Sequence, residues 1–177
     1  MNVNLRQALE WGGIAALALA AYWLFTPAPA PTLAQYVQEN RADIRGVIKS
    51  GTITLAGVKA NCDNTPIVLD DGFGDHAAAW PQSHFIIVNR KYMDPLPRAQ
   101  QLFTFYHECG HIRGRVGELE ADCHGIKEGV RLGWLDEKGL KQLCAYWRPK
   151  KGDAIHPPGR QRCAHMIACF NQAERHK

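Results

Sequence analysis

His107-Glu108-Cys109-Gly110-His111 constrains the fold of this chain more than any other stretch. Two histidines at this spacing present both rings to one point when the backbone between them is an α-helix. Two imidazoles so placed form a zinc chelate, and the glutamate beside the first can act as a general base on a metal-activated water. The run from Pro97 to Tyr106 extends the predicted helix, with Leu102, Phe103 and Tyr106 spaced to pack one side. Asp94 ahead of Pro95 and Pro97 resembles a helix start, because proline suits a first turn. The plain alternative is a helix that happens to carry two surface histidines.

A catalytic zinc asks for three protein ligands and an open position. The following stretch, Gly117-Glu118-Leu119-Glu120-Ala121-Asp122-Cys123-His124-Gly125, offers Glu118, Glu120, Asp122 and His124. At about 100° per residue, Glu118 and Asp122 share one helical face while Glu120 and His124 share the opposite one. Only one of those faces can look at the metal. Gly114 and Gly117 supply the reversal between the two helices.

His-Glu-x-x-His followed by Glu-x-x-Ala-Asp resembles the gluzincin metallopeptidases. The likeness is to their membrane-associated branch, which contains the CAAX prenyl proteases and the bacterial heat-shock membrane proteases. The resemblance implies that Glu118 is the third ligand and that Asp122 orients a ligand histidine from behind. Downstream, His156-Pro157-Pro158-Gly159-Arg160-Gln161-Arg162 resembles that branch's His-Pro-x-x-x-x-Arg segment, which implies that His156 approaches the substrate side. It also implies that Phe85-Ile86-Ile87-Val88-Asn89, just before the helix, forms the upper edge of the cleft and pairs with an extended substrate. The plain reading of that run is a buried core strand. One departure is clear: only six residues separate His111 from Glu118, where relatives insert a longer excursion. Gly114 echoes the metzincins, but the last metzincin histidine would fall on Gly117, which excludes that pattern.

With 177 residues, 46% of them hydrophobic, the chain suffices for one domain with a true core plus an extra apolar segment. The expected organisation is a signal or anchor segment over 1–25, a Pro/Ala linker over 26–32 and a metallopeptidase domain over 33–177. No charge occurs from Trp11 to Ala34, and Arg6 precedes the run, so the amino end is expected in the cytoplasm and the domain outside it. The domain is then periplasmic on a single-pass anchor, or secreted if Ala28-Pro29-Ala30 is a cleavage site. The formal charge of +4 is mild and its cations are scattered, which implies no nucleic-acid partner.

Leu33 through Lys49 is predicted as an amphipathic helix, with Thr52–Val58 and Pro66–Leu69 as strands. Asp70–Asp75 is expected as an acidic turn, since the glutamate of a calcium loop is missing. His76 and His84 have no partner at ligand spacing. The Glu118 helix should run to about Arg131, and Leu132–Leu135 should break it. Asp136 should then cap a helix reaching Trp147, and the last helix should start near Pro158 with Cys163, Met166, Ile167 and Phe170 inward. Arg148, Lys150 and Lys151 are expected in a solvated turn.

Six cysteines in an exported chain suggest up to three disulfides. Cys109 lies about 200° around the helix from His107 and points away from the metal. Cys123 is its nearest candidate partner in sequence. A zinc site built from cysteines is the rival, without a Cys-x-x-Cys pair to support it. The expectation is therefore a small, mostly helical α+β zincin domain with a small sheet before the active-site helix. Zn2+ would be held by His107, His111 and Glu118, with Asp122 behind them. Glu108 would act as general base and His156 as oxyanion partner, on a peptide or protein substrate. The alternatives are a non-catalytic zinc-stabilised binding module and a cell-wall peptide hydrolase.

Overall fold

A computed structural model describes residues 30–176. The segment expected over 1–25, and the linker up to residue 29, lie outside the described residues. Among those described, no helix is long and apolar enough to cross a membrane.

The chain is α+β. Its elements run α1 (Leu33–Glu39), β1 (Ile44–Lys49), β2 (Thr54–Leu55), β3 (Val58–Lys59), β4 (Pro66–Asp70), β5 (Ala77–Trp80) and β6 (Phe85–Val88). Five helices follow: α2 (Arg90–Met93), α3 (Arg98–Ile112), α4 (Glu118–Arg131), α5 (Glu137–Trp147) and α6 (Gly159–Glu174). The main sheet has the order β1-β4-β6-β5, with β4 and β6 parallel and the other neighbours antiparallel.

The helix expected over Leu33–Lys49 is shorter, and its second half is strand β1. Ile44, Gly46 and Ile48 alternate with exposed Arg45, Val47 and Lys49, and that period of two prevails over the helical pattern. The strand expected over Thr52–Val58 is instead the hairpin β2–β3. Ala56 and Gly57, with φ of 45° and 80°, form the turn between its two arms. Helix α3 starts at Arg98, after Pro97, whereas Asp94 caps the end of the short α2.

The sheet divides the interior. On one face Tyr36 of α1 packs with Val68, Phe85 and Ile87; on the other, Ile67, Ile86 and Val88 join the larger core of α3 to α6. All four residues of β6 are buried, so it is a core strand. The expectation that β6 edges the cleft is corrected here: the outer strand is β5, which the hairpin at Pro81–His84 folds back onto β6. The Asp70–Asp75 stretch is a turn, held by buried Asp70, which accepts from Tyr36 Oη at 2.6 Å and from Gly72 N at 2.8 Å. Helix α4 ends at Arg131, and Asp136 Oδ1 caps α5 by accepting from Gly139 N at 2.7 Å. Along α6, Cys163, Met166 and Phe170 are buried, but Ile167 is 37% exposed because it lies on the outer side.

All six cysteines are paired: Cys62 with Cys109, Cys123 with Cys169, and Cys144 with Cys163. A Cys109–Cys123 bond does not form. Cys109 faces the segment after β3, while Cys123 sits on the side of α4 that meets α6. Three such bonds indicate an oxidising environment.

Candidate metal centre

Helices α3 and α4 run against each other because two glycines allow it. A Cβ on Gly110 would meet Ala121 Cα at 3.1 Å and His124 Cβ at 3.2 Å. One on Gly125 would meet the Phe103 ring at 3.2 Å and His107 N at 3.3 Å. Gly114, with φ of 80°, turns the chain between them in few residues. This contact carries Glu118 to the two histidines.

Around that meeting point His107 Nε2 and His111 Nε2 are 3.2 Å apart. Glu118 Oε2 is 3.3 Å from His107 Nε2, and Glu118 Oε1 is 3.3 Å from His111 Nε2. Zinc bonds of about 2.0–2.1 Å in tetrahedral geometry separate ligand atoms by about 3.3 Å, so the triangle has the size of one face of such a site. Glu118 Oε2 is sealed from solvent and has no directed hydrogen bond. Its closeness to His107 is therefore proximity, as expected when lone pairs aim at a common point between them. Three such donors fit a zinc ion. A second group, Cys123, His165 and Cys169, is also close enough to hold a metal, but its two sulfurs are spent in a disulfide.

The opposite ring nitrogens are fixed. His111 Nδ1 lies 2.7 Å from Arg115 O. His107 Nδ1 lies 2.9 Å from Asp122 Oδ1, and Arg162 donates to both Asp122 oxygens at 2.8 and 2.5 Å. Arg162 in turn lies over the Trp147 ring at 4.0 Å. Asp122 and Arg162 are buried, a charge pair satisfied on both sides. Such a partner fixes a ring's tautomer and raises its basicity toward metal. Of the four candidate third ligands, Glu118 reaches the rings and Asp122 stands behind one. Glu120 is exposed and His124 faces Gly110.

The charges couple. Burial favours neutral His107, but the Asp122 and Glu118 carboxylates beside it outweigh burial and push the metal-free ring up to about 9. Burial would raise Glu118, yet the two imidazoles hold it well below the ordinary carboxylate range. Glu108 goes the other way, because burial raises its carboxyl more than the nearby rings lower it.

Glu108 points across to β5, where its Oε2 accepts from Ala79 N at 2.7 Å. Asn89 N donates to His76 O at 3.0 Å, so residues 76, 78 and 80 pair inward with β6. Ala77 and Ala79 therefore turn their amides and carbonyls outward to the cleft. The small side chains of this run permit that approach to α3, but they give the sequence a weak strand signal. His76 lines the same cleft and bonds Asp75. His84 lies outside it and touches the Thr65 hydroxyl at 3.4 Å.

The far side of the cleft is the loop between α5 and α6. His156 Nε2 is 3.9 Å from Glu118 Oε2, so the loop brings it to the centre from 38 positions away in sequence. Asp153 holds it: its Oδ1 accepts from Ile155 N and His156 N, both at 2.8 Å, and its Oδ2 lies 2.9 Å from His156 Nδ1. Lys150 and Lys151, expected in a solvated turn, are exposed and also line the cleft. The whole cleft measures about 850 Å³. Sequence reasoning missed Ala79 and Asp153. The Asp153-x-x-His156 spacing, suited to a local side-chain turn, was the available signal for the second. No protein-family profile, curated protein or solved structure matches the chain.

Proposed function

We propose that the chain is a zinc-dependent endopeptidase of gluzincin type. The observation that carries this reading is the triangle of His107, His111 and Glu118 with the Glu108 carboxylate beside it, in one cleft. A purely structural site needs neither an adjacent base nor an open face. When bound, zinc supplies Lewis acidity, drawing the pKa of a water down to about 7 and polarising the scissile carbonyl.

The chain's own groups do the rest. Glu108, its carboxyl raised by burial, takes the attacking water's proton and passes it to the leaving amine. The bond to Ala79 N keeps that carboxylate aimed across the cleft. His156, oriented by Asp153, donates a hydrogen bond to the developing oxyanion. The outward amide and carbonyl of Ala77 pair with an extended substrate backbone, which accepts many sequences. Asp122 and Arg162 hold His107 in register for the metal. Together with the three disulfides, the uncharged amino-terminal run supports export and tethering outside the cytoplasm.

Metal content and cleavage of a peptide library, read together, test the assignment. Glu118→Ala is expected to lose zinc and activity at once, while Glu120→Ala keeps both. Loss of metal from Glu120→Ala but not Glu118→Ala would overturn the ligand set. A wild type that binds zinc stoichiometrically yet cleaves no peptide would leave a binding module.

A further inference from the structure

Gln100 and Gln101 are neighbours on α3, each 7% exposed, and their side chains are used differently. Gln101 Nε2 donates to Asp94 O at 3.0 Å and to Leu96 O at 2.8 Å, bracing the chain where it enters the helix. Gln100 makes no side-chain hydrogen bond among the described residues. Nor is its carboxamide among the polar atoms sealed away without a partner, which belong to Glu118, His124 and Trp134. It opens into the cleft. Thr104, one helical turn nearer the proposed general base, also lines the cleft, and its hydroxyl has no partner among the described residues. Phe73, Leu96 and Phe103 line the same cleft with apolar side chains.

A ligand that covers this carboxamide must replace the water it meets in the open cleft, and covering it without a partner costs free energy. The group is an uncharged donor and acceptor facing the space a ligand would fill. Resting on the peptidase reading, we infer that Gln100, with Thr104, selects the substrate residue entering this end of the cleft. The class selected is an uncharged side chain with a carboxamide or hydroxyl, glutamine and asparagine foremost. Along the helix axis Thr104 lies about 6 Å and Gln100 about 12 Å from Glu108. An extended peptide advances about 3.3 Å per residue, so the selected residue lies within about four of the cut, on one side of it.

The test uses end-capped octapeptides in which each position in turn carries glutamine or norleucine, which matches its length without the amide. Cleavage by the zinc-loaded wild type is expected to favour glutamine at one position near the cut by about 10–100-fold in kcat/KM, the range for satisfying rather than orphaning a buried polar pair. Gln100→Leu should collapse that ratio. Gln100→Glu, which keeps the shape and adds charge, should move the preference to lysine or arginine at the same position. Binding of the same peptides to zinc-loaded Glu108→Gln protein reads the pocket without turnover, and Gln100→Leu in that background should erase the glutamine preference. A binding preference without any cleavage by wild type would sink the peptidase reading and leave the pocket standing. Equal binding of both peptide series, or a ratio unmoved by both Gln100 variants, overturns the inference.

Discussion

On one side of the cleft, α3 and α4 hold His107 and Asp122 in a buried network with Arg162, and bring Glu118 up beside His107. On the other stand β5, with Ala79 half-buried, and the 148–158 loop, whose His156 side chain is 48% exposed. The first wall is built of helix contacts set by glycines; the second depends on sheet order and on a loop closed by the Cys144–Cys163 bond. On the proposed reading, the buried contacts fix the groups that would hold a metal, and the exposed wall is the one a substrate would pass.

Arg162→Met is the strongest way to break this contrast. It strips buried Asp122 of its guanidinium partner and leaves it only His107, and denaturant unfolding should report a loss of about 3–5 kcal/mol. On the exposed wall, Asp153→Asn should cost far less stability, because both its charge and its partners stay solvated. Equal losses from the two variants would mean that the walls are not held differently.

Removing the Cys144–Cys163 bond by paired serine substitution opens a loop with a sequence separation of 19. Chain entropy puts that cost at about 3 kcal/mol. Because the bond closes the base of the loop, activity should fall while zinc content stays near one per chain. Loss of metal in the same variant would show that the two walls are coupled.

His156→Ala should lower kcat by about 10²-fold with metal retained, the usual cost of losing one oxyanion donor. Asp153→Asn should reduce kcat in the same direction and by less.

The smallest effect is one of pH. In the metal-free chain His107 is raised from 6.5 to about 9. Its contribution to stability is therefore complete below about 6.5 and is lost as the pH rises through 9. Chelator-treated protein should lose several degrees of Tm between those values, and zinc-loaded protein should not, because a zinc-bound ring is neutral throughout that range.

The helical wall was legible because its signals are local. The spacing of His107 and His111, the shared face of Glu118 and Asp122, and the Asp136 cap each lie within a few residues. The facing wall was not. Ala77, Ala78 and Ala79 have no β-branched signal, and only the long-range order of the sheet makes β5 the outer strand in place of the more strand-like Phe85–Val88. The cysteine pairs were illegible for the same reason, since sequence separations of 46 and 47 are set by packing. Arg162 could be matched to a motif, but its bond to Asp122 required two helices to meet.

The central claim is that His107, His111 and Glu118 hold the metal while Glu108 acts beside it. Zinc content and peptide hydrolysis of Glu108→Gln, measured on the same preparation, test it most directly. The account predicts zinc near one per chain with activity lowered about 10²–10⁴-fold, the typical worth of a general base. Zinc lost along with activity would make Glu108 a ligand, and activity kept with zinc would remove it from the chemistry; either result contradicts the account.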